Sequence, residues 1–345
     1  VPALRLASAL VLLLLLLTGL ATAAPPPDAV PLPRSGSTPD AEPAPGEGPV
    51  ERRPRELALR FAWPSALEAK VTYRRVATRT GEPDRLFTAR YTERATRAGK
   101  ELRIASSGTR WEGEIPYPPD EVRAAIRASE AVVQRVGDDG AFVGLENADA
   151  LRPVLQRIYA AAERSDEEAD QAIERIEAAM VDEARDAWNL AVGFWIGAEL
   201  DFGEAWQMDV DAPVWLLPAL AVKSHVRMEA RRRVPCTASE RKARCVELTL
   251  HSEPDRAALP ALTRAIVAKL AGGQGALSGE VREVGLATDL TLVTEPATLV
   301  PYGVVWRRSV RATVADEVEG ARELEDVERT EWSWSYVRRG APPQR

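Results

Sequence analysis

The sequence predicts an α+β fold: a large curved antiparallel β-sheet, an open half-barrel, with helices packed on one face. Three observations carry that prediction. Period-two alternation recurs in both halves of the chain, as in Leu67, Ala69, Val71, Tyr73 and again in Val246, Leu248, Leu250, which marks half-buried strands. Turn clusters such as Thr80–Asp84 and Gly137–Gly140 separate successive runs at hairpin distance. Helical stripes are few and grouped, so the regular strand–helix alternation of a parallel sheet is missing.

Taken in order, Leu57, Leu59, Phe61 and Trp63 alternate as a first strand, and Leu67 to Tyr73 continue the pattern. Phe87, Ala89 and Tyr91, then Leu102 and Ile104 beyond Ala98-Gly99-Lys100, extend an antiparallel meander. Pro118-Pro119-Asp120 opens a short helix carrying Val122 and Ile126, and Val132–Val136 and Phe142–Leu145 pair across Gly137–Gly140. A helix over Asp149–Ala162 puts Leu151, Leu155, Ile158 and Tyr159 on one face. The next helix starts at a capping box of Ser165 and Glu168, Ile173, Ile176, Met180, Ala184, Ala187, Ala191 and Trp195 recur on its apolar stripe, and Gly197 and Gly203 mark where it has ended. Strands return with Trp206–Val210, Val222–Ala230 and Val246–Leu250. A helix over Asp255–Leu270 follows, ending at Gly272-Gly273. Strands Leu286–Val293, Val304–Val314 and Glu328–Val337 complete the chain.

The first 23 residues read as an export signal. Arg5 precedes an apolar core with six consecutive leucines, Leu12–Leu17, and Ala21-Thr22-Ala23 offers a small-x-small cleavage pattern. That core is shorter than the ~20 residues needed to span a bilayer; an uncleaved anchor is the alternative. Residues 24–54 carry ten prolines, from Pro25 to Pro54, and read as a disordered linker that cannot bury enough apolar surface to order itself. One α+β domain is expected over 55–338 and a disordered tail over 339–345. The expected location is outside the cytoplasm, periplasmic or extracellular, and soluble after cleavage. A net charge of −7 gives no support to nucleic-acid binding.

Only two cysteines exist, Cys236 and Cys245, with eight polar-rich residues between them. In an oxidising compartment they read as a disulfide across the base of a hairpin. Zinc, the rival, needs three or four ligands, and no others lie nearby. The same hairpin is basic within an acidic chain: Arg231, Arg232, Arg233, Arg241, Lys242 and Arg244 form a candidate contact for an anionic membrane surface or an envelope protein, against the plainer reading of a solubilising tip.

No catalytic, cofactor or metal site is expected. The two histidines stand apart: His225 faces solvent beside Lys223 and Arg227, and His251 ends a strand in a loop. No Gly-x-Ser-x-Gly elbow accompanies them. Gly272-Gly273-Gln274-Gly275 follows a helix instead of preceding one, so it reads as a helix stop and not a phosphate loop. Carboxylates Glu167, Asp170, Glu174, Glu177 and Glu183 read as a solvated helix face. Trp306, Trp332, Trp334 and Tyr336 lie on alternating strands, where aromatics either fill a sheet core or line a ligand cavity.

The order of elements, Phe202-Gly-Glu-Ala-Trp206 entering a strand and Thr294-Glu-Pro-Ala-Thr298 leading into Val304–Val314 together resemble the exported open-barrel proteins of the lipoprotein-carrier and mycobacterial lipid-carrier type. That resemblance implies a curved sheet around an apolar cavity and binding of a lipid or other apolar ligand without catalysis. It carries over no functional residue. The alternatives are an envelope scaffold with a filled core and, last, a hydrolase.

Overall fold

The computed structural model describes residues 57–81, 83–113, 119–161, 165–214, 217–271, 280–316 and 320–337. The export segment, the linker, the tail and the Gly272–Gly275 cluster lie outside the described residues. The first half of the chain supplies β1 (Leu57–Ala58), β2 (Ala66–Arg79), β3 (Arg85–Ala98), β4 (Glu101–Glu112), α1 (Pro119–Ser129), β5 (Val133–Gly137), β6 (Phe142–Glu146), α2 (Arg152–Ala161) and α3 (Asp166–Ala191). The second half supplies β7 (Glu199–Leu200), β8 (Ala205–Val214), β9 (Leu217–Val234), β10 (Cys245–Pro254), α4 (Leu259–Ala271), β11 (Glu280–Thr294), β12 (Pro301–Asp316) and β13 (Gly320–Tyr336).

Eleven strands form one open antiparallel sheet in the order β6-β5-β4-β3-β2-β13-β12-β11-β10-β9-β8. Strands consecutive in the chain are neighbours within each half, with α1 inserted between β4 and β5 and α4 between β10 and β11, and the halves meet where β2 pairs with β13. The registers define one inner face: Tyr73 opposes Ala89 and Trp332, Trp332 opposes Val304, Val304 opposes Leu292, and Leu292 opposes Leu248. Because side chains alternate strictly along a strand, that row fixes which residues of every strand can reach the helices.

All four described helices use the inner face. Helices α1, α2 and α3 share a cluster in which Val122, Leu151, Leu155, Ile158, Ile173, Ile176 and Met180 are buried. Only the end of α3 crosses the sheet, where Trp188 and Val192 join the main core of Val71, Tyr73, Leu102, Leu248, Leu290 and Trp306. Helix α4 covers the far end, packing Leu262 and Ile266 on Val222, Val284 and Leu286. The α+β fold with helices on one face is therefore the one the alternation predicts. The opposite face carries polar side chains such as Arg74, Asp289, Thr291, Arg307 and Arg329, as an antiparallel sheet open to water on one side should.

Three local expectations change. The helix expected to reach Trp195 ends at Ala191, where Val192 leaves helical backbone at φ −139°, and Trp195 lies in a short 3-10 turn over Gly193–Trp195. The alternation over Leu57–Trp63 gives a ladder only at Leu57 and Ala58, paired with Leu200 and Glu199. Beyond that the backbone bonds to loop carbonyls, Leu59 N–H to Ala198, Arg60 N–H to Pro296 and Ala62 N–H to Thr298, while Leu59 and Trp63 are buried. The periodicity there reports burial, and among the described residues no neighbouring strand continues the ladder. His251 lies within β10 and not in a loop after it, because the ladder with β11 runs on through Ser252.

The start of α3 forms as its cap predicts: Ser165 Oγ accepts from the Glu168 N–H, and Glu168 Oε2 accepts from the Ser165 N–H. Cys236 and Cys245 are disulfide-bonded with Cα atoms 5.0 Å apart, closing the loop between β9 and β10. Among the described residues no helix is long and apolar enough to cross a membrane.

Candidate functional site: a tryptophan-lined pocket under α3

Where the end of α3 passes over the middle of the sheet, the two surfaces do not close completely. The gap is a pocket of about 90 Å³, partly open to solvent. Five tryptophans line it. Trp306 comes from β12, Trp332 and Trp334 from β13, Trp63 from the extended segment after β1, and Trp188 from α3. Tyr91 and Glu93 of β3, Ile104 of β4, Gln134 of β5 and Leu290 of β11 complete the sheet wall, with Ala187, Ala191 and Val192 on the helix side. Small residues at 187 and 191, one turn apart, leave the space that the indoles surround.

The register explains how residues far apart in sequence converge. Trp306 opposes Leu290 on one side and Thr330 on the other, and Trp334 opposes Val71, which in turn opposes Tyr91. Trp63 and Trp188 pack at a tilt of 58°, with ring centroids 5.4 Å apart. Their N–H groups are spent on the scaffold: Trp63 Nε1 donates to Leu299 O at 3.3 Å and Trp188 Nε1 to Gly140 O at 2.8 Å. Three other donors in the pocket wall differ. Trp306 Nε1, Trp334 Nε1 and Gln134 Nε2 are buried with no hydrogen-bond partner among the described residues. Buried indole N–H groups ordinarily find an acceptor.

Glu93 is partly exposed as a residue, but its carboxyl is enclosed. Burial pushes it up to about 7, with the neighbouring Trp334 indole pulling the other way without reaching hydrogen-bond geometry. The pocket therefore joins aromatic walls, three unspent donors and one carboxyl that titrates near neutrality. Among the described residues no Lys, Arg or His lines it.

One helical turn before the pocket lies a buried ionic cluster. Arg308 and Arg75 both pair with Glu328, and the Arg308 guanidinium stacks 4.4 Å from the Trp306 ring centroid. Burial pushes the Glu328 carboxyl up, but the two arginines outweigh it and hold it below the ordinary range. Facing them from α3 are Glu183 and Asp186, both buried. Burial pushes Glu183 up to about 10 against the pull of Arg308, and pushes Asp186 up to about 8, with Asp182 adding to the rise. The solvated-face expectation thus fails for Glu183. Glu167, Asp170 and Glu174 are exposed, and Glu177 pairs with Arg152 at 2.6 Å. Glu183 instead stands three residues after Met180 on the inward stripe, the spacing that could have identified it.

Of the aromatics singled out in sequence, Trp306, Trp332 and Trp334 line the pocket, whereas Tyr336 packs edge-to-face on Tyr302, ring centroids 5.0 Å apart, and donates its hydroxyl to Pro301 O at 2.7 Å. The basic hairpin residues are all exposed, but most are engaged. Arg231 pairs with Glu229, Arg232 with Glu247, and Arg244 with Glu240 and Glu295, while Arg233 lies over the Phe202 ring. His225 Nδ1 is 2.6 Å from Asp209 Oδ1 and His251 Nδ1 is 2.7 Å from Asp289 Oδ1, both on the helix-free face. A wider hollow of about 590 Å³ on that face is lined by Val76, Val305 and Val327 together with paired charges, Arg329 with Glu331 at 2.8 Å and Arg307 with Asp289 at 3.8 Å, and holds no aromatic side chain.

No family model matches the chain, and no curated protein matches it. A solved structure described as "Lipid-protein interactions in lipovitellin" is similar over 82% of this chain and 26% of that one, at 10% identity and a TM-score of 0.39. The chain thus spans about a quarter of the length of that protein. A likeness of that degree carries no argument about what this chain binds.

Proposed function

We propose that this chain is an exported binding protein whose tryptophan pocket takes a small apolar ligand, or one end of a lipid, without transforming it. The observation that carries the reading is the pocket itself: five tryptophans around an incompletely filled space at the edge of the buried core. A volume of about 90 Å³ corresponds to on the order of half a dozen waters. That fits a short chain or a single ring, and a whole phospholipid would leave most of its length outside. The ordered disulfide suits an oxidising compartment, in keeping with the leucine-rich leader.

Toluene titrated into the purified chain should shift tryptophan emission to a saturable limit. Ala191→Phe, which fills the pocket from α3, should weaken that response at least about tenfold while leaving circular dichroism unchanged. An unsaturable, linear response in the unaltered chain overturns the binding reading. Export has its own check. Protein recovered from outside the cytoplasm should begin at Ala24, and a full-length N-terminus on cytosolic protein with two free thiols would count against it.

A further inference from the structure

Resting on the pocket reading above, we infer that the group taken into the pocket is a methylated ammonium ion, a quaternary amine of the choline type, set against the tryptophan rings with the Glu93 carboxylate as its counter-charge.

Apolar walls alone would accept any hydrocarbon of the right size. Two features of these walls favour a cation. The first is what the indoles show to the space. Trp63 and Trp188 spend their N–H groups on backbone carbonyls, and the Trp306 and Trp334 nitrogens are closed to solvent. The positive N–H edges of four of the five indoles are thus withdrawn, and ring carbon bounds the space. Indole faces carry the negative side of the ring quadrupole and attract cations. One such contact already exists on these rings, the Arg308 guanidinium 4.4 Å from the Trp306 centroid.

The second feature is Glu93, the sole charged residue of the described lining. Strand register sets it among aromatics: Trp334, Val71 and Tyr91 form one row across β13, β2 and β3, and Tyr336, Ala69 and Glu93 form the next. Across the β4 ladder its partner is Ser106, and α3 presents uncharged Ala187, Trp188 and Ala191 to the same space. Burial, then Glu93 itself, holds the Tyr91 and Tyr336 phenols well above their ordinary range, so both stay neutral. A carboxyl pushed up to about 7 by burial is ionised by a cation arriving beside it, and no cation among the described lining residues already answers it.

Methylation follows from the walls. A bare ammonium is compact and strongly hydrated, whereas a quaternary amine spreads its charge over methyl groups and needs no hydrogen-bond acceptor. A volume of about 90 Å³, room for on the order of half a dozen waters, suits a trimethylammonium head with its first methylene.

Calorimetric or tryptophan-emission titration of the full chain at pH 8 compares choline with 3,3-dimethylbutanol, which keeps the shape and puts carbon in place of the charged nitrogen. Choline should bind about tenfold or more tighter than the isostere. Lowering the pH from 8 to 6 protonates Glu93, so choline should weaken roughly tenfold while the isostere does not. Glu93→Gln should remove most of choline's advantage together with its pH dependence. The amide replaces a carboxyl that burial penalises, so the melting temperature at pH 8 should not fall. Monomeric dihexanoylphosphatidylcholine separates the sources: affinity at least equal to choline's assigns the site to a lipid headgroup, loss of binding assigns it to a free quaternary amine, and the ammonium chemistry stands in both cases. An isostere that binds as tightly as choline at pH 8, or choline affinity indifferent to the Glu93 substitution, overturns the cation inference and spares the apolar pocket. Saturable binding of neither probe overturns both this inference and the reading beneath it.

Discussion

Gly140, in the turn between β5 and β6, has φ +87°, and a Cβ there would sit 2.5 Å from Ile196 Cδ1 and 2.7 Å from Phe61 Cγ. Its carbonyl also receives the Trp188 indole, so one residue without a side chain brings the hairpin, the post-β1 segment and the pocket wall together. Gly140→Ala should cost about 1–3 kcal/mol through strain and overpacking, visible as a lower urea midpoint. An unchanged midpoint would mean that the turn tolerates a side chain. The sequence marked this glycine as a turn, but nothing local announced its close approach to Phe61. The inward arginines were more legible. Arg75 is two residues from Tyr73, and Arg308 is two from Trp306, so strand parity alone places both among the buried aromatics.

Element boundaries followed local chemistry where the chemistry is local. The Ser165–Glu168 box starts α3 where it should, and Ser165→Ala should lose about 1 kcal/mol, measurable by thermal denaturation. The cysteine pair closes the β9–β10 loop. Replacing Cys236 and Cys245 together by Ser should cost about 2–3 kcal/mol, and the same loss should follow mild reduction of the unaltered protein. If reduction leaves the melting temperature unmoved, the bridge contributes nothing to stability. Where an element depends on its neighbours, sequence reading overreached: Leu57–Trp63 alternates like a strand, yet its partners are loops.

Across the whole molecule, the ionic cluster ties α3 to the seam between the two halves of the sheet. Glu183 and Asp186 come from the helix, Arg75 from β2, Glu328 from β13 and Arg308 from β12. In the unfolded chain both helix carboxyls ionise near pH 4, whereas in the fold burial holds Glu183 near 10 and Asp186 near 8. The folded state therefore keeps protons that the unfolded state has released. Their contribution is intact below about pH 4 and is lost as pH climbs towards 8 and then 10. Glu328, held low by its two arginines, acts oppositely, its contribution present above about pH 4.5 and lost on acidification. Glu183→Gln should thus stabilise the protein at pH 8 by about 1–3 kcal/mol and much less at pH 5, by denaturant melts at both values. An equal gain at the two pH values would contradict this account.

Alternation, turn residues and caps are encoded within a few neighbouring residues, so the sequence by itself determined most of the strands and helices, the antiparallel class and the cysteine pairing. The pocket was not encoded that way. Trp63, Tyr91, Gln134, Trp188 and Trp334 approach one another only after β2 pairs with β13 and α3 crosses the sheet. Whether an indole N–H finds a carbonyl, or a helix carboxylate faces water or two arginines, depends on contacts between residues distant in the chain, 48 residues apart for Trp188 and Gly140 and 236 for Trp63 and Leu299. Those contacts exist only in the folded molecule, and they decide which polar groups remain unspent.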